Sequence, residues 1–175
     1  MNKKQKVFIV DTSVFLSGKP LHIEDATLIT TSGVSSEIQP GGRDFRSFEL
    51  LQEKGLLIES PSKQSLKEMK TIAEKTGDIM RLSPADLEVL ALAYDFSKKE
   101  NIEVIILTDD YSIQNVANAA HVSFQGFSQK GIAKRFKWHW RCPGCGRQFN
   151  ESTIICPVCG TETKTVRQRK QKLKK

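Results

Sequence analysis

Val7-Phe8-Ile9-Val10-Asp11-Thr12-Ser13 is the stretch on which the fold turns. An apolar run of this length closed by a carboxylate reads as a short strand buried on both faces, as in the interior of a parallel sheet. Outward along the chain the same kind of segment returns at 27–31, at Leu56-Leu57-Ile58, at 104–107 before Thr108-Asp109-Asp110, and at 122–127. Helical stretches at 44–54, 62–76, 83–100 and 112–120 lie between them. The third is the clearest: Ser83 suits the N-cap, Pro84 the first helical position, and Leu87, Leu90, Ala91 and Tyr94 share a face. Strands alternating with helices imply a three-layer α/β domain with a parallel sheet over residues 1–127.

Composition agrees with a folded chain. Of the 175 residues, 38% are apolar and 27% charged, which excludes wholesale disorder. No apolar run approaches the ~18–20 residues of a membrane helix. The basic start Met1-Asn2-Lys3-Lys4-Gln5-Lys6 is followed by too short an apolar run for a signal peptide. The expectation is a soluble, cytoplasmic protein with no membrane partner.

Beyond residue 127 we expect a basic and aromatic linker at 128–140, a cysteine module at 141–163 and a basic tail at 164–175. Cys142-Pro143-Gly144-Cys145-Gly146 and Cys156-Pro157-Val158-Cys159-Gly160 use every cysteine of the chain, with ten residues between the inner pair. Each C-x2-C-G is a tight turn that aims two thiolates at one point. Two such turns form a closed four-sulfur site, the arrangement of one structural Zn2+, with iron on the same sulfurs as the alternative. Two disulfides are disfavoured without a secretion signal, and a redox dithiol does not need two matched knuckles. The module reads as a small zinc-ribbon domain.

The charge is divided unevenly. Residues 1–127 hold 14 basic and 18 acidic residues, a balance of −4, whereas 128–175 hold 13 and 2, a balance of +11. A face of that kind attracts a polyanion through counterion release, although a solvated, disordered tail has the same composition. The run Arg135-Phe136-Lys137-Trp138-His139-Trp140-Arg141 favours nucleic acid, because tryptophans among cations stack on unpaired bases. Lys134, Arg135, Lys137, Trp138, Trp140, Arg141 and Arg147 are the candidate RNA contacts. Trp138 and Trp140 have a second account as the core of the cysteine module.

The remaining candidates are acids. Two strands end in carboxylates, Val10 before Asp11 and Leu107 before Thr108-Asp109-Asp110, and ligands of open α/β sheets bind beyond such ends. Each acid also has a structural account. Asp11 suits a helix cap, Asp86 the far side of a capping box opened by Ser83, Glu37 the first turn of a helix, and Asp109-Asp110 a solvated turn. Taken together they form a pattern. Val7-Phe8-Ile9-Val10-Asp11-Thr12-Ser13, Glu37, Ser83-Pro84-Ala85-Asp86 and Leu107-Thr108-Asp109-Asp110 resemble, in order and spacing, the PIN-domain nucleases.

With the four-cysteine ribbon, the basic tail and the run Thr108-Asp109-Asp110-Tyr111-Ser112-Ile113-Gln114-Asn115-Val116, the chain looks like the Nob family (Nin-one-binding protein) in its compact archaeal form. That resemblance implies a metal-dependent endoribonuclease maturing the 3′ end of small-subunit (16S-type) ribosomal RNA within a pre-ribosomal small subunit. It also implies that Asp11, Glu37, Asp86 and either Asp109 or Asp110 hold one or two Mg2+ or Mn2+ ions. The Thr-x-Asp pattern selects Asp110, and Asp109 beside it stays a candidate. The alternatives are a non-catalytic RNA- or ribosome-binding module and a toxin-type PIN ribonuclease.

Overall fold

The computed structural model describes residues 4–19, 21, 23, 25–127, 134–151 and 153–172. Five strands, β1 (Gln5–Val10), β2 (Ala26–Thr30), β3 (Leu57–Ile58), β4 (Ile102–Leu107) and β5 (Ser123–Gln125), form one parallel sheet in the order β3-β2-β1-β4-β5. The chain runs outward from β1 to β3, crosses back, and continues through β4 to β5. Neighbouring carboxyl ends of β1 and β4 therefore mark the point where the winding reverses, the place at which open α/β sheets bind their ligands.

Right-handed crossovers put the helices before and after that reversal on opposite faces. On one face α1 (Thr12–Leu16) packs on α3 (Arg43–Glu53), with Phe15 and Phe48 edge to face at 5.4 Å between ring centroids. On the other, α4 (Lys63–Thr76), α5 (Pro84–Ser97) and α6 (Tyr111–Ala119) pack on one another. Ala85, Val89, Leu90, Ala91, Leu92, Ala93 and Phe96 of α5 are all buried, so this helix is apolar almost all round and sits at the centre of its layer. Burying one of its leucines stabilises the fold by roughly 1.5–3 kcal/mol.

α2 (Ser32–Glu37) lies against α5 at the carboxyl edge of the sheet. Its bounds correct one expectation: Glu37 is the last residue of α2 and not a first-turn acid. Thr31 takes the cap by accepting from the Val34 N–H at 3.3 Å.

The C-terminal part also departs from the expected linker and tail. Lys134–Arg141 is a strand, β6, and Lys164–Lys172 another, β8. With β7 (Gln148–Phe149) they make an antiparallel sheet in the order β7-β6-β8, and Arg141 pairs with Lys164 and Lys134 with Lys172. Local composition hides this, because the partner that satisfies each backbone lies some thirty residues away. β6 rests on α4 and α6. Among the described residues no helix is long and apolar enough to cross a membrane.

Candidate active site

Register carries the first two acid-bearing segments together. Val10 and Leu107 pair across β1 and β4, and the Asp11 N–H donates to Leu107 O at 3.1 Å. Asp11, only 2% exposed, thus emerges beside Thr108. Two hydroxyls stitch these strand ends. Ser13 Oγ donates to Asp11 Oδ2 at 2.7 Å and accepts from the Asp109 N–H at 3.0 Å. Thr108 Oγ1 donates to the same Oδ2 at 2.8 Å and accepts from the Asp110 N–H at 3.0 Å.

The other two acids arrive from α2 and α5. Ser83 and Asp86 form a capping box: Ser83 N donates to Asp86 Oδ2 at 2.7 Å, and Asp86 N donates to Ser83 Oγ at 3.1 Å. The structural account of Asp86 therefore holds, and it also supplies a reason for function, since the box fixes the carboxylate. Ser83 Oγ donates to Glu37 Oε1 at 3.3 Å, and Thr12 Oγ1 donates to Glu37 Oε2 at 2.6 Å. Sequence reasoning missed this second use of Ser83. α2 is seated by Glu88, whose Oε2 accepts from the Gly33 N–H at 2.9 Å.

The adjacent aspartates diverge. Asp110 caps α6 through Ser112 N and Ile113 N, and its charge acts on Asp86. Asp109 accepts from the Phe127 N–H at 2.9 Å, beyond the end of β5.

Electrostatics show how crowded the acids are. Burial, opposed by hydrogen bonds from Ser83 and reinforced by the charges of Asp11 and Asp110, pushes the Asp86 carboxyl up to about 6. Burial also raises Asp11 above the usual carboxylate range, against the hydrogen bonds from Ser13 and Thr108. Like charges held this way call for a cation. An all-oxygen donor set is of the kind that takes a hard divalent ion.

The cysteines form a second site. All four Sγ atoms lie within 4.8 Å of one another, with Cys142 to Cys159 at 3.2 Å and Cys145 to Cys156 at 3.6 Å. A sulfur tetrahedron around zinc, with bonds of about 2.3 Å, has edges near 3.8 Å, so the cluster is of the right size to hold a metal ion. No two of the four cysteines are joined in a disulfide. In each knuckle the glycine closes the turn at positive φ, +74° for Gly146 and +72° for Gly160, donating to Cys142 O and Cys156 O at 2.9 Å. Thr161, by its hydroxyl and its backbone N–H, holds the Cys159 thiol down at about 6, whereas, against the Arg147 N–H, burial and the neighbouring sulfurs push Cys145 up to about 11.

Of the candidate RNA contacts, Trp140 is a correction. It is 4% exposed and belongs to the interior of the C-terminal sheet, with no face left for a base. Arg141 and Arg147 are exposed on either side of Cys142, and Arg147 O accepts from the Cys142 N–H at 2.8 Å. The side chains of Lys134, Arg135, Lys137 and Trp138 lie outside the described residues.

The family model "PIN domain of ribonuclease" matches residues 8–96, which makes this sheet, with acids at its reversal point, a PIN-type nuclease domain. Similarity extends past it. The chain is 40% identical over 157 residues to Endoribonuclease Nob1 of Archaeoglobus fulgidus, covering 90% of this chain and 89% of that one. It is 38% identical over 165 residues to Endoribonuclease Nob1 of Pyrococcus abyssi (93% and 95%), and 36% over 158 residues to Ribonuclease VapC1 of Thermoplasma acidophilum (90% and 77%). The chain belongs to the Nob1 family of PIN-domain endoribonucleases.

Proposed function

We propose that this endoribonuclease matures the 3′ end of small-subunit ribosomal RNA in a pre-ribosomal particle of the cytoplasm. The observation that carries the chemistry is the mutual crowding of Asp11, Asp86 and Asp110, with Glu37 tied to the same capping box. Asp11, Glu37, Asp86 and Asp110 hold one or two Mg2+ or Mn2+ ions, and the four cysteines hold one Zn2+. The charge of Asp110 acts on Asp86, which favours Asp110 over Asp109, whose carboxylate turns to the Phe127 N–H. The substrate assignment is supported by likeness to the Archaeoglobus and Pyrococcus relatives, which at this coverage runs beyond the α/β domain into the cysteine module. A toxin-type ribonuclease is not better supported, because four of the relatives matched over most of the chain are named Nob1.

A divalent cation held by these acids would supply water activation and offset the charge that builds on the phosphodiester. The chain's own residues prepare the site. Ser13 and Thr108 keep Asp11 oriented and ionisable in a buried position, and Ser83 and Thr12 hold Glu37 on the opposite flank. Water adds to phosphorus, the P–O3′ bond breaks, and the proton passes to the departing oxygen. Products carry a 5′ phosphate and a 3′ hydroxyl. The acidic face repels RNA, so affinity resides in the basic C-terminal part, Arg141 and Arg147 included.

The test is cleavage of a small-subunit rRNA precursor fragment spanning the mature 3′ end, with Mn2+. A single cut at that end, lost in Asp11→Asn while RNA binding persists, is the expected result. Cutting at unrelated positions refutes the substrate, and cutting that survives Asp11→Asn refutes the site.

A further inference from the structure

The C-terminal sheet reaches the acid cluster through one short segment. Residues 77–83 leave α4 at Gly77, pass through a 3-10 turn at Ile79–Arg81, and end at Ser83, the N-cap of α5. Ser83 touches two acids, Asp86 through the capping box and Glu37 through its hydroxyl. A small displacement of this residue therefore moves both carboxylates.

Two side chains steady the segment. At its start Asp78, completely buried, accepts from Asn115 Nδ2 of α6 at 2.6 Å, and its carbonyl accepts from the Arg81 N–H at 2.8 Å. Nearer Ser83, Arg81 extends out of the α/β domain and donates from Nη2 to Thr165 Oγ1 of β8 at 2.9 Å. Thr165 is paired with the buried Trp140 of β6, and β6 itself rests on α4 and α6. The hydroxyl thus stands on a sheet seated against the helices that flank the segment, one of which carries Asp110 as its cap.

We propose that Arg81 and Thr165 are positioning residues for the acid cluster: by bracing the turn before Ser83, the C-terminal sheet sets the affinity with which Asp86 and its neighbours take a divalent cation. This rests on the reading of those acids as a cation site. One exposed hydrogen bond contributes little to global stability. Its leverage comes from place, because cation affinity responds to small errors in ligand geometry. The C-terminal sheet then does more than attract RNA. It completes the nuclease site from outside.

Mn2+ binding to the full chain, its cysteines loaded with zinc beforehand, tests this directly by electron paramagnetic resonance of the free ion. Thiolates prefer zinc, so added Mn2+ reports the oxygen site. Thr165→Val, which keeps the branched shape and removes the hydroxyl, and Arg81→Met, which keeps the stem and removes the donor, should each weaken Mn2+ binding about three- to tenfold. Thr165→Ser should restore parental affinity. The double variant should be no weaker than Arg81→Met alone, because that substitution already removes the contact with Thr165. Thermal midpoints should stay within a degree or so of the parent, which separates positioning from loss of fold. Parental Mn2+ affinity in Thr165→Val overturns the inference alone. Absence of Mn2+ binding that depends on Asp86, checked with Asp86→Asn, overturns the cation-site reading and this inference with it.

Discussion

Asp109 and Asp110 are adjacent and chemically identical, yet the backbone sends them to different tasks. Asp110 adds to the field at Asp86, while Asp109 holds the Phe127 N–H. Asp110→Asn should lower the cleavage rate by about 10²-fold or more, as loss of a charged group at a phosphoryl site does. Asp109→Asn keeps an oxygen for Phe127 and should stay within about threefold. A labelled RNA assay in Mn2+ decides between them, and equal losses would argue against this division. Asp86 also gives a pH signature. Its folded value of about 6 exceeds the ordinary 3.8, so the protonated acid stabilises the cation-free fold. That stability is fully present below 3.8 and is lost as pH rises through about 6. Without Mg2+ or Mn2+, the protein should melt at a lower temperature at pH 7 than at pH 5. Asp86→Asn should flatten the slope, and added cation should restore the pH 7 midpoint. Calorimetry at the two pH values checks this.

Among the elements, the contact of α2 with α5 sets where Glu37 stands. Gly33 makes that contact possible by close approach. A Cβ there would meet Glu88 Oε2 at 2.7 Å and the Ala85 backbone at 3.0 Å. Glu88 can swing away, but the α5 backbone cannot. Gly33→Ala gains about 1 kcal/mol of helix propensity, and overpacking of this kind costs about 1–3 kcal/mol. The expected outcome is a neutral to modestly lower denaturation midpoint, with a loss of cleavage far larger than the stability change, because α2 carries Glu37 away from Ser83. Activity unchanged alongside lowered stability would show that Glu37 does not need this placement.

At the scale of the molecule, the chain divides its charge between a mildly acidic nuclease domain and a strongly basic C-terminal part. The latter has few buried apolar side chains among the described residues, chiefly Trp140 with Cys142 and Cys156, so we expect its order to depend on a metal held by the thiols. A strong chelator, or Cys142→Ser, should collapse the NMR dispersion of residues 134–172 and leave the five-stranded sheet intact. RNA affinity should fall with it, together with the slope of log affinity against log salt. Dispersion of the C-terminal sheet that survives metal removal would show that packing on α4 and α6 is sufficient.

Much of this was legible without coordinates. Apolar runs ending in acids marked β1 and β4, because a buried strand must be apolar along its length and a ligand-facing end need not be. The paired C-P-x-C-G knuckles announced their shared site, because their geometry is local. Ser83-Pro84-Ala85-Asp86 announced a helix start for the same reason. Other features depend on partners distant in the chain. That Glu37 closes α2 rather than opening it follows from Thr31 as cap, and its link to Ser83 crosses from one helix to another. Trp140 reads equally well as a stacking platform or a core residue until burial decides. A cationic tail reads as disordered until β6 supplies its hydrogen bonds. Short-range chemistry is written in neighbouring residues, whereas the different partners of two adjacent acids, Asp86 for one and the Phe127 N–H for the other, follow from packing between segments that only the folded chain brings together.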